Sequence, residues 1–219
     1  MGKEIKVVRQ ILEWNEQCHD ELQGLFTENK VLVINIMGSP GAGKTTFIKK
    51  LIESTREKYN YAVIEGDVAG QIDAEAISEM GIPVVQLNTD GACHIEAMSI
   101  KNIIENFDLK DIDILIVENI GNLVCPAEFD IGEHLKVALL SVPEGDDKVE
   151  KYPLMFSRAD ALILSKFDLN DIFNFSKERV ISNTRKINEG AEIFLMDSIK
   201  GKGIEEFIEF IERKRGETL

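Results

Sequence analysis

The chain has 219 residues, 44% of them hydrophobic, and a formal net charge of −14. That length suits one α/β domain with a full core, and the composition is globular rather than disordered. The acidic balance argues against sequence-independent binding to nucleic acid or to an anionic membrane, which needs clustered Lys and Arg, and no apolar run approaches the roughly 20 residues that span a bilayer.

Taken from the N-terminus, residues 5–28 place Val8, Ile11, Leu12, Leu22 and Leu25 among charges, which reads as a surface helix. This amphipathic segment, residues 1–30, is expected to lead into a P-loop domain over 31–219. It does not read as a signal peptide, and Lys6 stands where a myristoylation signal carries Ser or Thr. Cys18-His19 falls mid-helix and reads as a solvated face.

Residues 31–38, "VLVINIMG", form a continuous apolar run, as a central parallel strand does. Further strands are expected at 61–66, 83–88, 113–119, 137–142, 161–166 and 192–197, and helices at 44–58, 72–80, 93–106, 171–189 and 203–215. This alternation predicts an α/β fold, a mostly parallel central sheet with helices on both faces. Segments 119–134 and 143–153 are long for α/β connections and rich in Gly, Pro and acids, so they read as functional loops.

"GSPGAGKT", residues 38–45, matches the phosphate-loop pattern and stands between a predicted strand and a predicted helix. Gly38, Gly41, Ala42 and Gly43 let the backbone wrap so that consecutive N–H groups face phosphate oxygens, and the helix N-terminus adds positive potential. Lys44 is expected to reach the β- and γ-phosphates, Thr45 to hold Mg²⁺, and Thr46 to complete the cradle. Asp67 and Glu118 end predicted strands, the rim where ligands bind in open parallel sheets. Either could hold Mg²⁺ or its waters, and Asp67 could instead orient the attacking water. Glu118 opens "ENIG", which resembles the D-x-x-G element of GTPases, with the Gly121 N–H placed to sense a γ-phosphate. No glutamine follows that glycine closely, so unaided hydrolysis is expected to be slow.

"SKFD", residues 165–168, resembles the guanine signature N-K-x-D with Ser for Asn. Asp168 can accept from guanine N1–H and the 2-amino group, a donor pair adenine lacks, and the Lys166 stem can lie over the purine. Ser165 lacks the amide that contacts the base and ties this loop to the phosphate loop, so looser GTP and GDP binding is expected. Ser198 and Lys200, after the last strand, are placed to close over the base.

Three unevenly spaced cysteines suit a reducing cytoplasm, not a disulfide framework. Cys93-His94 opens a predicted helix, whose N-terminus lowers a thiol's pKa. With Cys125 these residues offer two sulfurs and an imidazole, a set suited to Zn²⁺ or Ni²⁺. From the residues alone, the default reading is buried packing of both cysteines as small hydrophobes, with His94 as a cap. His134 reads as a loop cap.

"MGSPGAGKTT", "EGDVAGQIDAE", "LNTDGACHIEA", "VENIGNLVCPAEFDIGEH", "SVPEGDDKVEKYP" and "SKFDL" together resemble the HypB family of hydrogenase nickel-incorporation GTPases, from about residue 31 to the C-terminus. That resemblance implies a SIMIBI-type P-loop GTPase that dimerises with GTP bound. It implies delivery of Ni²⁺ to the large subunit of [NiFe] hydrogenase alongside a HypA-type nickel chaperone, with Cys93, His94 and Cys125 at the metal positions. The Cys-rich or His-rich N-terminal nickel stretch of many relatives has no counterpart in this sequence. The urease accessory GTPase UreG is a related alternative, but its Cys-Pro-His triplet is not matched, since Ala127 follows Cys125-Pro126. A regulatory GTPase without metal, or a small kinase, is a further alternative. A kinase lid is rich in Arg, and the loops of this chain are not. Because Glu118, Gly121 and Cys125 share one segment, a γ-phosphate drawing on "ENIG" is expected to move Cys125 and couple nucleotide to metal.

Overall fold

The computed structural model describes residues 7–67, 72–88 and 91–219. Its strands are, in chain order, β1 (Leu32–Gly38), β2 (Tyr61–Asp67), β3 (Val84–Asn88), β4 (Ile114–Glu118), β5 (Leu135–Ser141), β6 (Ala161–Ser165) and β7 (Glu192–Leu195). They form a seven-stranded sheet in the order β3-β2-β4-β1-β5-β6-β7, and every adjacent pair is parallel. β1 is central and buried at each residue, as its unbroken apolar run requires. The connection after β1 runs toward β2 and that after the adjacent β4 runs the opposite way toward β5, and this topological switch opens a crevice at the strands' carboxyl ends.

The helices are α1 (Val7–Glu28), α2 (Lys44–Thr55), α3 (Ile72–Ser78), α4 (Ala97–Ile103), α5 (Lys148–Lys151), α6 (Pro153–Arg158), α7 (Asn170–Phe173), α8 (Lys177–Ile187) and α9 (Ile204–Thr218). Alternate β1 residues Leu32, Ile34 and Ile36 pack beneath Phe47 and Leu51 of α2 and Phe207 of α9. Val31, before β1, and Val33 face the other way, toward Leu22 and Phe26 of α1 and Ile100 of α4. Both sheet faces are therefore covered. Among the described residues no helix is long and apolar enough to cross a membrane.

Three expectations change. The single helix predicted at 171–189 is two, because Asn174 turns left-handed at φ 47° and Ser176 then caps α8 by accepting from the Arg179 N–H at 3.2 Å. The helix predicted from residue 93 begins at Ala97, since Glu96 is extended (φ −103°, ψ 157°). Segment 143–153 holds a turn at Gly145 and then α5, with Pro153 opening α6.

The reading of Cys18-His19 as a solvated face is also corrected. Cys18, Leu22 and Phe26 lie one turn apart and are buried, each large side chain contributing about 1.5–3 kcal/mol by leaving water, whereas Leu12 and Leu25 are exposed. Beside that stripe runs a polar one. Asn15 Nδ2 donates to the Asp130 carbonyl at 2.7 Å, and His19 Nδ1 accepts from the Gly132 N–H at 2.8 Å. Gln23 Nε2 donates to the Glu133 carbonyl at 2.9 Å, and Thr27 Oγ1 lies 3.0 Å from His134 Nε2. α1 thus holds the end of segment 119–134 by four successive turns. His134 Nδ1 also accepts from the Val33 N–H at 3.0 Å, so the ring bridges strand, loop and helix.

Candidate nucleotide and metal site

β1 ends at Gly38, and the chain wraps to Gly43, which is left-handed at φ 95° and precedes α2 with no side chain capping that helix. The first N–H groups of α2 are thus not taken up by a cap and can meet an anion. Lys44 is buried, its Nζ 3.3 Å from the Ser39 carbonyl and 3.8 Å from Glu118 Oε1. Thr45 Oγ1 donates to the same Glu118 oxygen at 3.0 Å. Residues from two distant stretches of sequence therefore converge at the carboxyl ends of β1 and β4. A hydroxyl and a carboxylate beside a phosphate cradle are hard oxygen donors, the set that Mg²⁺ takes.

This corner opens into a cavity of about 550 Å³ lined by the phosphate loop, by Glu118 to Gly121, and by Glu65. Sequence reasoning overlooked Glu65. It is buried and sits directly beside Glu118 in the β2–β4 register, so two carboxylates share one wall. Period-two alternation was the available signal: Tyr61 and Val63 face the α2 side, and Glu65 is the next residue on that face. Asp67 ends β2, but its side chain lies outside the described residues. Gly121 abuts the phosphate loop so closely that a Cβ there would stand 2.7 Å from Pro40 Cγ.

A smaller recess of about 70 Å³ adjoins Gly43 and Thr46, walled by Ser165, Lys166, Asp168, Asp197, Ser198 and Ile199. Lys166 is left-handed (φ 54°) and its Nζ donates to the Gly41 carbonyl at 2.7 Å. The expected loss of the tie at Ser165 is corrected: its hydroxyl donates to the Ala42 carbonyl at 2.6 Å, in a buried position. The end of β6 lies near enough to the phosphate loop for a short side chain to span the gap. Lys200 turns toward Asp197, its N–H donating to Oδ1 at 3.1 Å, and Ile199 stands beside the recess instead.

Cys93, His94 and Cys125 come together, with one donor atom from each lying within 4.8 Å of the others. Metal–sulfur and metal–nitrogen bonds of about 2.0–2.3 Å let one ion reach all three from there. Cys93 is exposed and the other two are half-buried, so the cluster opens outward. Cys93 and His94 lie ahead of α4, outside its first turn. Cys93 Sγ is 3.6 Å from His94 Nδ1. The Cys125 thiol is held above its ordinary range chiefly by hydrogen bonding to Cys93, then by burial, with the Asn122 amide opposing. The His94 ring stacks on Phe129, centroids 3.9 Å apart and 18° between planes, which joins the two segments that carry the cluster.

Residues 32–195 match the family model described as CobW/HypB/UreG, nucleotide-binding domain. A probable hydrogenase maturation factor HypB from Methanocaldococcus jannaschii is 36% identical, over 95% of each chain. The crystal structure of HypB from Helicobacter pylori in complex with nickel superposes with a TM-score of 0.87 at 39% identity, covering 93% of this chain and 95% of that one. The signal recognition particle receptor FtsY from Elizabethkingia anophelis in complex with GDP shares the fold alone, with a TM-score of 0.50 at 18% identity over 84% of this chain and 66% of that one. The parallel sheet, its phosphate loop and these likenesses agree, and the chain belongs to the HypB group of the CobW/HypB/UreG family, with a P-loop GTPase fold of the SIMIBI type.

Proposed function

We propose that this protein is a GTP-hydrolysing metallochaperone that couples nucleotide-dependent dimerisation to nickel delivery during [NiFe] hydrogenase maturation. The observation that carries the reading is the path of segment 119–134. It follows directly on Glu118, which touches Thr45 and Lys44, and reaches Cys125 of the thiol–imidazole cluster within a few residues. The resemblance supplies a HypA-type nickel chaperone and the hydrogenase large subunit as partners, and the cysteine usage suits a cytoplasmic setting.

In this reading Asp168 selects guanine by accepting from two base N–H groups, and the Lys166 stem covers one purine face. Lys44 binds the β- and γ-phosphates and Thr45 and Glu118 hold Mg²⁺, which when bound screens the phosphate charge as the γ-phosphoryl group leaves. Asp67, or Glu65 beside Glu118, orients the attacking water. Ni²⁺ is cargo, taken by Cys93, His94 and Cys125; Zn²⁺ suits the same donors. Three protein donors leave an ion short of four, and a second copy across a two-fold axis would supply them. Turnover of GTP beside ATP, with and without Ni²⁺ and Zn²⁺, tests the reading, together with molecular mass in GDP and in a non-hydrolysable GTP analogue. GTP-specific turnover and a nucleotide-dependent dimer are expected. Equal ATP turnover, or a monomer in both states, overturns it.

A further inference from the structure

Asn122 occupies the junction between the phosphate loop and the metal cluster. Its backbone forms an isolated antiparallel bridge with Gly38, the first residue of the phosphate loop. Its neighbour Gly121 packs against Pro40 without room for a side chain. Its side chain faces the metal cluster. Oδ1 accepts from the Val124 N–H at 2.8 Å, shaping the turn that presents Cys125, and Nδ2 donates to the Cys93 carbonyl at 3.4 Å. The amide orientation follows from its partners, since a backbone N–H needs the oxygen and a carbonyl needs the nitrogen. One residue therefore touches all three parts: the nucleotide cradle through its backbone, and the two cysteine-bearing segments through its two amide atoms.

We infer that Asn122 is the positioning residue that transmits nucleotide state to the metal cluster. The inference rests on the nucleotide-to-metal coupling proposed above. When phosphates draw in the Gly38–Gly43 loop, the Gly38 bridge carries the Asn122 backbone along, and the side chain shifts Cys93 and Cys125 relative to each other. These bonds differ in what they need. Aspartate is nearly isosteric and keeps the acceptor for Val124, but it presents no donor to the Cys93 carbonyl or to the Cys125 thiol. Alanine removes every side-chain bond.

The test measures Ni²⁺ affinity of the full chain by competition with a chromophoric chelator, in GDP and in a non-hydrolysable GTP analogue, each with Mg²⁺. Sulfur-to-nickel charge-transfer absorption reports whether the ligands are intact. Coupled sites commonly differ by about 5–150-fold, so the wild type is expected to show at least roughly a five-fold ratio between nucleotide states. In Asn122→Asp and Asn122→Ala the ratio is expected to fall to about one, with the charge-transfer band retained. If Asn122→Ala does not fold, Asn122→Asp decides. A wild-type ratio that survives in Asn122→Asp overturns the relay and leaves the coupling reading standing. Loss of nickel in both states makes Asn122 a scaffold of the site and likewise overturns the relay. A wild-type ratio of one overturns the coupling and the relay together.

Discussion

Thr45 Oγ1 and Glu118 Oε1 are joined by a 3.0 Å hydrogen bond across 73 positions of sequence. One residue opens the helix after the phosphate loop, and the other closes the strand beside it. The bond brings an oxygen pair fit for Mg²⁺ to the mouth of the cavity, and Glu65 stands next in the sheet.

Removing the charge from either carboxylate separates their roles. Glu118→Gln is expected to weaken Mg²⁺ dependence and to lower kcat for GTP by about 10²–10³, the usual cost of losing a preorganised electrostatic group. Glu65→Gln is expected to leave GTP affinity within about two-fold while kcat falls by at least roughly ten-fold, as for a group acting only in the transition state. Single-turnover hydrolysis with parallel GTP titration reads both. Unchanged kcat in Glu65→Gln removes that residue from the reaction.

In the proposed reading Asp168, which lines the recess beside Gly43, carries base choice. Asp168→Asn is expected to weaken GTP by about 10² or more, since a site built to accept from the base loses its match. Xanthosine triphosphate, which bears a carbonyl in place of the 2-amino group, should gain relative to GTP because the asparagine amide can donate to it. Competition with a fluorescent nucleotide measures the two affinities side by side.

At the metal cluster, Cys125→Ser should abolish tight Ni²⁺ binding while GTP binding is preserved, because Cys125 stands apart from the phosphate contacts. Phe129→Ala keeps every donor but removes the ring stacked on His94. Loss of such outer support typically costs about 10–100-fold in metal affinity, and a fall of that order is expected in a chelator competition.

Acid should destabilise the fold through His134. Burial, with His19 nearby, pushes its pKa down from 6.5 to about 4. The hydrogen bonds agree, since Nδ1 must stay unprotonated to accept from Val33 and Nε2–H can serve Thr27, whose own hydroxyl donates to the Gln23 carbonyl. Between those two pH values the unfolded chain binds the extra proton and the folded chain does not. The stabilisation is therefore full above about 6.5 and is lost as pH falls toward about 4. Melting temperatures across that range should drop less steeply for His134→Gln than for the wild type; equal slopes would refute the assignment.

The phosphate loop was legible because its function needs contiguous residues, so motif and geometry coincide at Gly38 to Thr45. Glu118 was legible because it closes an apolar run, and strand ends are where parallel sheets bind ligands, whereas Asp168 was legible because "SKFD" resembles a contiguous guanine signature. Glu65 was missed because it lies inside a strand, where only its facing direction distinguishes it. Cys18 was misplaced because a thiol among polar residues gives no sign of which helix face is covered, and the buried cluster it joins includes Leu115 and Ile131, distant in sequence.

Local chain chemistry by itself therefore determined the alternation of strands and helices, the phosphate cradle and the pool of sulfur, nitrogen and oxygen donors. Tertiary structure decided which donors meet. The β2–β4 register set Glu65 beside Glu118, the docking of α1 buried Cys18 and tied down His134, and the bridge at Asn122 joined cradle to cluster. The physical reason is that periodicity and motif spacing are properties of neighbours along the chain, whereas register, helix docking and loop convergence depend on which surfaces exclude water together.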